Sequence, residues 1–382
     1  MSNRAPIIVS SYLPKNCKFL FLKHHKTVFF WDYFFNINDM ILEKKILKNI
    51  KIIDRKKFLK LKPKNKTEEV IFELLKYCFP VIYLENYLET TKFVKNKFHN
   101  KDPKFVFTSN EFQANEFFKF FVANYILGNN KNYFVSQHGS KYGSVKIEKR
   151  TPEEITATKF LTWGWKKNNN HIKTSLIRTT GMKKINSLKK INKIILIFEN
   201  LPDNNNSYDS RLEFFKKINE SKFFIKNLPR KLQKKIVIRP HYQDLNSNYF
   251  EYEFKKINPK ILIDKSSIDI INLARQDNFM IFFYYSTGFL ELLSLNRFSY
   301  VFCNLKKDEY IYDFYKDISK LKNKIFFDNS KLLAKKVVIL ENNLNKKFFK
   351  VNTNEILKKF KKKYAEYDYY SNFLNKFNSL NI

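Results

Sequence analysis

The sequence predicts an α/β protein with two Rossmann-like domains that face a cleft. Its 382 residues are enough for two domains, each with a core of its own. Short apolar runs alternate with helical patterns through both halves, as expected of parallel strands that are covered on both faces. Ligands of such sheets bind outside the carboxyl ends of the strands, so the segments after the predicted strands are the first candidates for a site.

The first half of the chain is predicted to hold three strands and a long helix. The strands lie at residues 104–108, 133–136 and 160–162, and the helix at 111–127. Asn110 and Gln113 have the spacing of a capping box at the start of that helix. A further helix begins at Pro152 after Thr151, so Glu154 is interpreted as a capping residue rather than a catalytic acid.

The second half repeats this alternation after a polar, basic segment at residues 166–190, which suits an interdomain linker. Strands are predicted at 194–198, 236–238, 261–263, 279–284 and 300–302, and helices at 211–218, 268–275 and 288–295. The predicted domains are therefore 1–170 and 171–350. A C-terminal helix within 351–382 is expected to pack back on the body.

The formal charge of +36 is mostly lysine, because only nine of the 72 basic residues are arginine. Lysine, asparagine, isoleucine and phenylalanine are enriched together, a bias typical of an AT-rich genome, so most lysines are interpreted as a solvated surface. The remaining charge favours anionic partners such as phosphorylated substrates or anionic lipid. No specific nucleic acid is expected, since zinc spacing, a helix-turn-helix and RNP aromatics are absent.

The three cysteines indicate a reducing compartment. Cys17, Cys78 and Cys303 are odd in number and far apart, which favours free buried thiols over disulfides or a metal site. No apolar run approaches the ~20 residues of a membrane span, and the N-terminus lacks the pattern of a signal peptide. A cytoplasmic protein is therefore expected.

A loop with a histidine and two glycines follows the strand predicted at 133–136. Gln137, His138 and Gly139 begin this loop, and Tyr142 and Gly143 continue it. Such a loop can bring an imidazole and backbone N–H groups against a phosphate or a reacting hydroxyl. We interpret His138 as catalytic and its neighbours as loop-positioning residues, with a structural histidine in a tight turn as the alternative.

Four of the six glycines fall between residues 128 and 164, namely Gly128, Gly139, Gly143 and Gly164. Glycine is scarce in this chain, so this stretch is predicted to need positive φ angles or a close approach of the backbone to a ligand.

Arg239 and His241 follow the strand predicted at 236–238. A guanidinium beside an imidazole at a strand end suits phosphate binding. An arginine that caps the C-terminus of a nearby helix explains the same residue equally well.

Ser286 and Thr287 join the strand predicted at 279–284 to the helix predicted at 288–295. Hydroxyls and backbone amides at a helix N-terminus form an anion site, although an ordinary N-cap uses the same residues. Glu291 is the only charge in this apolar helix and lies one turn beyond Thr287 on the same face. A buried carboxylate needs a partner, either the hydroxyls of a ribose or a buried lysine or arginine.

Lysines mixed with apolar residues at 354–377 predict an amphipathic helix near the C-terminus. We interpret it as packing back on the body of the protein, with a membrane-surface role as the alternative.

Several of these segments resemble a family of transferases from bacterial surface-carbohydrate gene clusters. The resemblance rests on QHG and YG within 137–143, LTWGW at 161–165 and STGFLE at 286–291, and it covers about residues 79–335. More distantly, the order of the His-Gly, Arg-Pro-His and Ser-Thr motifs is similar to the CDP-glycerol glycerophosphotransferases and the capsule Kdo transferases. These relatives often carry Asn where this chain has Tyr285, and Thr or Ser where it has Gly288.

The resemblance implies a glycosyltransferase of the GT-B type, acting in surface polysaccharide, O-antigen or capsule biosynthesis. The C-terminal domain would hold a CMP- or NDP-linked sugar, and the N-terminal domain would present a glycan or lipid-linked acceptor. His138 would act at the reacting hydroxyl, and Glu291 would hold the ribose. The donor phosphates would be bound by Arg239, His241, Ser286 and Thr287. No cofactor or metal is implied, since no DxD-type pair is present.

Two alternatives to the glycosyltransferase interpretation stay open. One is a CDP-polyol phosphotransferase, and the other is a non-catalytic basic protein that binds nucleic acid or anionic membrane. For the transferase, peripheral association with the inner face of the cytoplasmic membrane is an added expectation, because a lipid-linked acceptor would lie there.

Overall fold

The computed structural model describes most of the chain as an α/β protein with two parallel sheets and flanking helices, as the sequence predicts. The described residues are 4–27, 31–48, 62–99, 101–127, 132–146, 150–201, 208–344, 351 and 354–380. Gly128, one of the four clustered glycines, lies outside them.

The strands and helices have the following bounds in chain order. The strands are β1 Ile7–Val9, β2 Phe105–Thr108, β3 Asn132–Ser136, β4 Lys159–Thr162, β5 His171–Lys173, β6 Ile194–Ile197, β7 Ile236–Arg239, β8 Leu262–Ile263, β9 Phe279–Phe282, β10 Tyr300–Phe302 and β11 Phe326–Phe327. The helices are α1 Lys15–His24, α2 Trp31–Lys48, α3 Lys66–Cys78, α4 Tyr87–Phe98, α5 Glu116–Leu127, α6 Pro152–Thr156, α7 Tyr208–Lys226, α8 Arg230–Gln233, α9 Tyr249–Lys255, α10 Ile270–Arg275, α11 Thr287–Ser294, α12 Tyr312–Ser319, α13 Ser330–Asn342, α14 Glu355–Tyr364 and α15 Tyr370–Asn378.

The six-stranded sheet has the strand order β11-β10-β9-β6-β7-β8, and all of its pairs are parallel. The chain runs outward from β6 through β7 to β8 and then returns to β9 on the other side of β6. This is the 3-2-1-4-5-6 order of a dinucleotide-binding Rossmann sheet, in which ligands bind where the strand order reverses. The reversal point here lies between β6 and β9, at the carboxyl ends of two fully buried strands.

The five-stranded sheet has the order β1-β2-β3-β4-β5, and β1, β2 and β3 pair in parallel. Phenylalanine fills the core beside it: Phe35, Phe98 and Phe121 stack with ring centroids 4.2–5.8 Å apart. Aromatic pairs at such separations stabilise a core beyond the area that they bury.

The chain divides into two compact units. The first comprises the described parts of Met1–Ser136, Pro152–Phe160 and Asn378–Ile382, and the second those of Gln137–Thr151 and Leu161–Phe377. The loop that begins at Gln137 therefore belongs to the second unit, together with the six-stranded sheet.

The helix predicted at 111–127 begins only at Glu116. Asn115 caps it, because its Oδ1 accepts the backbone N–H of Phe118 at 2.8 Å. The prediction of a capping box at Asn110 and Gln113 is wrong, since residues 111–114 form a turn in which the Glu111 carboxylate accepts from the Asn115 amide at 2.8 Å.

The segment 166–190 is not a free linker. It contains β5 and a 3-10 turn at Ile177–Thr179, and Leu176 and Thr179 are fully buried. A count of lysines and polar residues misses this, because the few apolar side chains that anchor the segment are spread along it.

The basic C-terminal segment forms two helices, α14 and α15, rather than one. Within the second unit, Phe360 of α14 packs on Phe326 with centroids 5.8 Å apart. Lys361 donates to Asn296, and Lys363 lies 2.7 Å from Asp317. Burial lowers the pKa of Lys361 to about 8. Lys361 therefore belongs to the packing of the helix, whereas the Lys363 side chain, 42% exposed, forms an ion pair at the surface.

The cysteines differ from expectation at one position, because Cys78 is exposed at the end of α3 while Cys17 and Cys303 are buried free thiols. Among the described residues, no helix is both long and apolar enough to cross a membrane.

Candidate functional site at the reversal point of the second sheet

Gln137 fixes the loop that follows β3. The residue is only 2% exposed, and its Oε1 accepts two hydrogen bonds, from the Trp163 backbone N–H at 3.1 Å and the Trp165 Nε1–H at 2.8 Å. Its Nε2 donates to the Gly139 carbonyl at 2.9 Å. One buried amide thus connects the QHG loop to the WGW segment after β4.

Two glycines allow the QHG loop, the WGW segment and α14 to pack closely together. Gly143 has φ +70°, and a Cβ there would lie 2.5 Å from the Trp165 ring. Gly164 has φ +117°, and a Cβ there would overlap the backbone carbonyl of Lys362 in α14. Both need positive φ and close backbone approach, as predicted, but their close neighbours belong to the protein itself. Gly139 is different, since a Cβ there would meet nothing nearer than 4.0 Å.

His138 is half-buried at the start of the same loop. Its Nδ1 lies 3.4 Å from the hydroxyl oxygen of the buried Tyr142, and the two rings pack edge to face with centroids 5.1 Å apart. Tyr142 therefore sets the orientation of the imidazole. A histidine held in this way can exchange a proton with a bound hydroxyl if its other nitrogen reaches it.

The loop meets the N-terminus of α11 directly. Ser286 is the N-cap, with its Oγ accepting the Phe289 N–H at 3.1 Å, and Thr287 Oγ1 accepts the backbone N–H of Ser140 at 3.1 Å. The QHG loop and the STG turn are therefore neighbours at the carboxyl end of β9, beside the reversal point. The positive end of the helix dipole lies at this turn.

Glu291 lies on the second turn of α11, with its side chain 9% exposed. Within the described parts of the chain, its Oε1 makes no hydrogen bond, and it lies 3.2 Å from Nη1 of Arg178, whose side chain is 54% exposed. Burial raises the pKa of Glu291 and Asp269 adds to the rise, while the Arg178 charge opposes it. The partner of Glu291 is thus an arginine, as one alternative held, but a half-exposed one and not a buried cation.

Arg239 is engaged by its own neighbourhood. Its side chain is 14% exposed, with Nη1 bonded to Asp264 and Nη2 donating to the Ile268 carbonyl at 2.5 Å. Burial alone would raise the pKa of Asp264, but hydrogen bonds from Ser266 and the Arg239 charge outweigh it and lower that pKa. The Ile268 carbonyl lies just before α10, so the alternative in which Arg239 caps a helix C-terminus is wrong. It braces the loop that leads into α10.

His241 begins a 3-10 turn at Tyr242–Asp244, and its Nδ1 accepts the Gln243 N–H at 3.4 Å. Burial lowers its pKa, opposed by the charge of Asp244. These partners lie on its own turn and not on α11, so the hydrogen bonds of His241 do not connect it with the STG turn.

The two departures from the relatives have packing explanations. A Cβ at Gly288 would lie 2.9 Å from Ile270 Cδ1 and 3.2 Å from the Phe282 ring, so the side chains of both neighbours would have to shift to admit one. The Tyr285 ring packs against Phe314 and Phe326, with centroids 5.1 and 6.3 Å away. Tyr285 is half-buried and packs on aromatic residues of the second unit.

Two residues of this site were missed by sequence reasoning. Arg178 lies in the segment interpreted as a linker, and only the long-range contact with Glu291 reveals it. Tyr284 follows β9, and burial raises its pKa to about 12. The negative charges of Glu199 and Glu291 raise this pKa further, and a hydrogen bond with Ser286 lowers it. The scarcity of arginine, one of nine, was the signal that could have drawn attention to Arg178.

The first unit has a polar edge of its own at the carboxyl ends of β1, β2 and β3. Ser109 Oγ lies 2.5 Å from Ser136 Oγ and donates to the Ser11 carbonyl at 2.8 Å. The half-buried Glu111 accepts from Ser10 Oγ at 2.6 Å, and burial raises the pKa of this carboxyl despite that hydrogen bond. Serine hydroxyls and a carboxylate are suited to hold the hydroxyls of a neutral ligand.

Comparison with known proteins indicates a transferase. The family model described as LIC12162 family transferase matches residues 3–368, well beyond the segment 79–335 on which the resemblance rested. Among curated proteins, no significant match to the chain is found.

Proposed function

The chain belongs to the LIC12162 family of transferases, and we propose that it transfers a sugar from a CMP- or NDP-linked donor to an acceptor in surface polysaccharide biosynthesis. The observation that carries the proposal is the STG turn. It begins a helix at the reversal point of a Rossmann-ordered sheet, it is bonded to the QHG loop, and a buried carboxylate lies one turn below it.

The donor nucleotide is proposed to bind at this turn. The N–H groups at the start of α11 and the hydroxyls of Ser286 and Thr287 suit a phosphate, because the helix dipole and the unpaired donors act together there. Glu291 lies four residues after Thr287 on the same face, about 6 Å along the axis. That spacing suits a ribose next to a phosphate.

His138 is proposed to take the proton of the acceptor hydroxyl. In that step the acceptor oxygen forms a bond to the anomeric carbon, and the bond from that carbon to the phosphate oxygen breaks. The nucleotide leaves with the electron pair, and the imidazole holds the proton. Tyr142 supports this role by orienting the ring through the 3.4 Å contact with Nδ1.

The acceptor is proposed to bind at the polar edge of the first unit, around Ser10 and Glu111. Glu111→Gln should then raise the KM for the acceptor while nucleotide affinity stays the same. An unchanged acceptor KM would remove Glu111 from this role. A glycan or lipid-linked acceptor, a GT-B type arrangement and a place at the inner face of the cytoplasmic membrane complete the proposal.

A thermal-shift panel of CMP, CDP, UDP, GDP and dTDP tests the donor site, because a ligand that binds the folded state raises the melting temperature with its occupancy. We expect one base to stabilise the wild-type protein more than the others, and Glu291→Gln to reduce that shift. Absence of a shift with every nucleotide at millimolar concentration would contradict a nucleotide-activated donor. The family assignment already favours an enzyme over the non-catalytic alternative.

A further inference from the structure

A phosphate at the STG turn would be bound more tightly if a cation could reach it. Arg239, the arginine that the resemblance implied, has its guanidinium divided between the Asp264 carboxylate and the Ile268 carbonyl. With a side chain only 14% exposed, it would have to give up these bonds before it could bind an anion. Another residue is therefore the better candidate for the cation that binds the phosphate.

Arg178 occupies a favourable place for this task. It lies on the 3-10 turn Ile177–Thr179, which is fixed to α11 by a bond of 2.8 Å between the hydroxyls of Thr179 and Ser294. Both hydroxyl-bearing residues are fully buried, so the backbone of the turn is held in place. The Arg178 side chain is 54% exposed, which leaves the guanidinium accessible to a ligand.

The contact between Arg178 and Glu291 is incomplete as an ion pair. Glu291 is buried, yet its Oε1 makes no hydrogen bond to the guanidinium 3.2 Å away. Burial also raises the pKa of this carboxyl, so the arginine does not fully compensate the loss of water around the charge. An arrangement of this kind gains from a ligand that supplies the missing hydrogen bonds.

We propose that Arg178 is the phosphate-binding cation of the donor site and that Glu291 holds it beside the site until the nucleotide arrives. The inference rests on the proposed function. When the nucleotide binds, the ribose hydroxyls donate to Glu291, and the guanidinium turns towards the phosphate one helical turn away. Arginine suits this exchange, because its planar fork binds carboxylate and phosphate in the same bidentate manner.

The assignment explains two features together. It explains why a carboxylate lies inside an apolar helix, since Glu291 serves the arginine in one state and the ribose in the other. It also predicts the ligand class, namely a nucleotide with a phosphate next to the ribose, bound more tightly than the corresponding nucleoside.

Calorimetric titration of three variants tests the inference. Arg178→Ala should weaken the nucleoside diphosphate that binds best by about 10–100-fold and the corresponding nucleoside by less than about threefold. Arg178→Lys should fall between the two, because it keeps the charge and loses the fork. Arg275→Ala is the matched control, since this arginine of the same unit donates to the Lys183 carbonyl and lies outside the site. Circular dichroism should find all three folded.

Two results would overturn the role of Arg178: wild-type affinity of Arg178→Ala for the diphosphate, or equal losses for diphosphate and nucleoside. If the wild-type protein binds no nucleotide, the proposed function fails instead. Inorganic pyrophosphate then decides the inference separately. Binding to the wild-type protein that is lost in Arg178→Ala would support an anion site at Arg178, and absence of binding would overturn it.

Discussion

At the scale of single residues, the candidate site is built around a carboxylate whose ionisation is disfavoured by burial. The pKa of Glu291 is raised from its ordinary value of 4.5, chiefly by burial, even with Arg178 beside it. The folded protein therefore holds a proton on Glu291 at pH values where the unfolded chain has lost it. Linkage then requires that stability from this group is present below pH 4.5 and is lost as the pH rises through the folded pKa.

Glu291→Gln should remove that pH dependence. We expect the melting temperature of the unliganded variant to equal or exceed that of the wild type, by a margin that grows as the pH rises above 4.5. Nucleotide binding should weaken by about 1.5–3 kcal/mol at neutral pH, as for a lost hydrogen bond to a charged group. Melting curves from pH 4 to 8 and titration with the nucleotide that binds best measure both effects. A large drop in the melting temperature at neutral pH would mean that the Arg178 pair stabilises the fold.

His138→Ala tests the other residue assigned to the chemistry. Transfer should fall by roughly 10²–10⁴-fold, the usual effect of a lost general acid or base, while nucleotide affinity stays near that of the wild type. His99→Ala, at an exposed histidine on the end of α4, is the control and should keep full activity. Undiminished transfer in His138→Ala would exclude it from the mechanism. A collapse of the melting temperature would instead identify a structural histidine.

At the scale of elements, the site depends on contacts between segments that are distant in sequence. Gly164→Ala should destabilise the protein by at least roughly 1–3 kcal/mol, because φ +117° is strained for a side chain and the new Cβ would overlap the Lys362 carbonyl. Gly139→Ala is the matched control, with no atom nearer than 4.0 Å to its Cβ. Denaturant titration compares the two variants. Equal stability of both would mean that α14 can move away from the WGW segment at little cost.

The same elements indicate how far sequence reasoning reaches. Strands such as Ile194–Ile197 and Phe279–Phe282 were predictable, because a buried parallel strand is a continuous apolar run between polar turns. The N-cap at Ser286 was equally visible from its hydroxyl and position. The start of α5 was misplaced, because Asn110 offered a cap that the sequence alone could not distinguish from Asn115, whose Oδ1 makes the bond.

What the sequence could not predict depends on tertiary contacts. The engagement of Arg239 by Asp264 joins residues 25 positions apart, and the contact of Arg178 with Glu291 joins residues still further apart. The two-residue strand β11 is defined by its pairing with β10 and has no pattern of its own. In each case the contact partner is too distant in sequence to show in the local pattern of apolar and polar residues.

At the scale of the whole molecule, the chain combines two parallel sheets of different design. The second sheet has a reversal point and collects the STG turn, the QHG loop and Arg178 within one unit. The first sheet has strands in sequential order and a polar edge of serines with Glu111. Each unit brings its own polar residues to the carboxyl ends of its strands, where ligands of parallel sheets bind. The proposed function assigns the donor to the edge of the second unit and the acceptor to that of the first.

The central claim is that a nucleotide binds at the turn that begins α11. Hydrogen–deuterium exchange, with and without the nucleotide that gives the largest thermal shift, tests it most directly. We predict slower exchange in peptides that cover residues 137–144, 175–181 and 284–291, and no change in the exposed helix Lys66–Cys78. Slower exchange confined to other segments, with the STG turn unaffected while the nucleotide is bound, would contradict the claim.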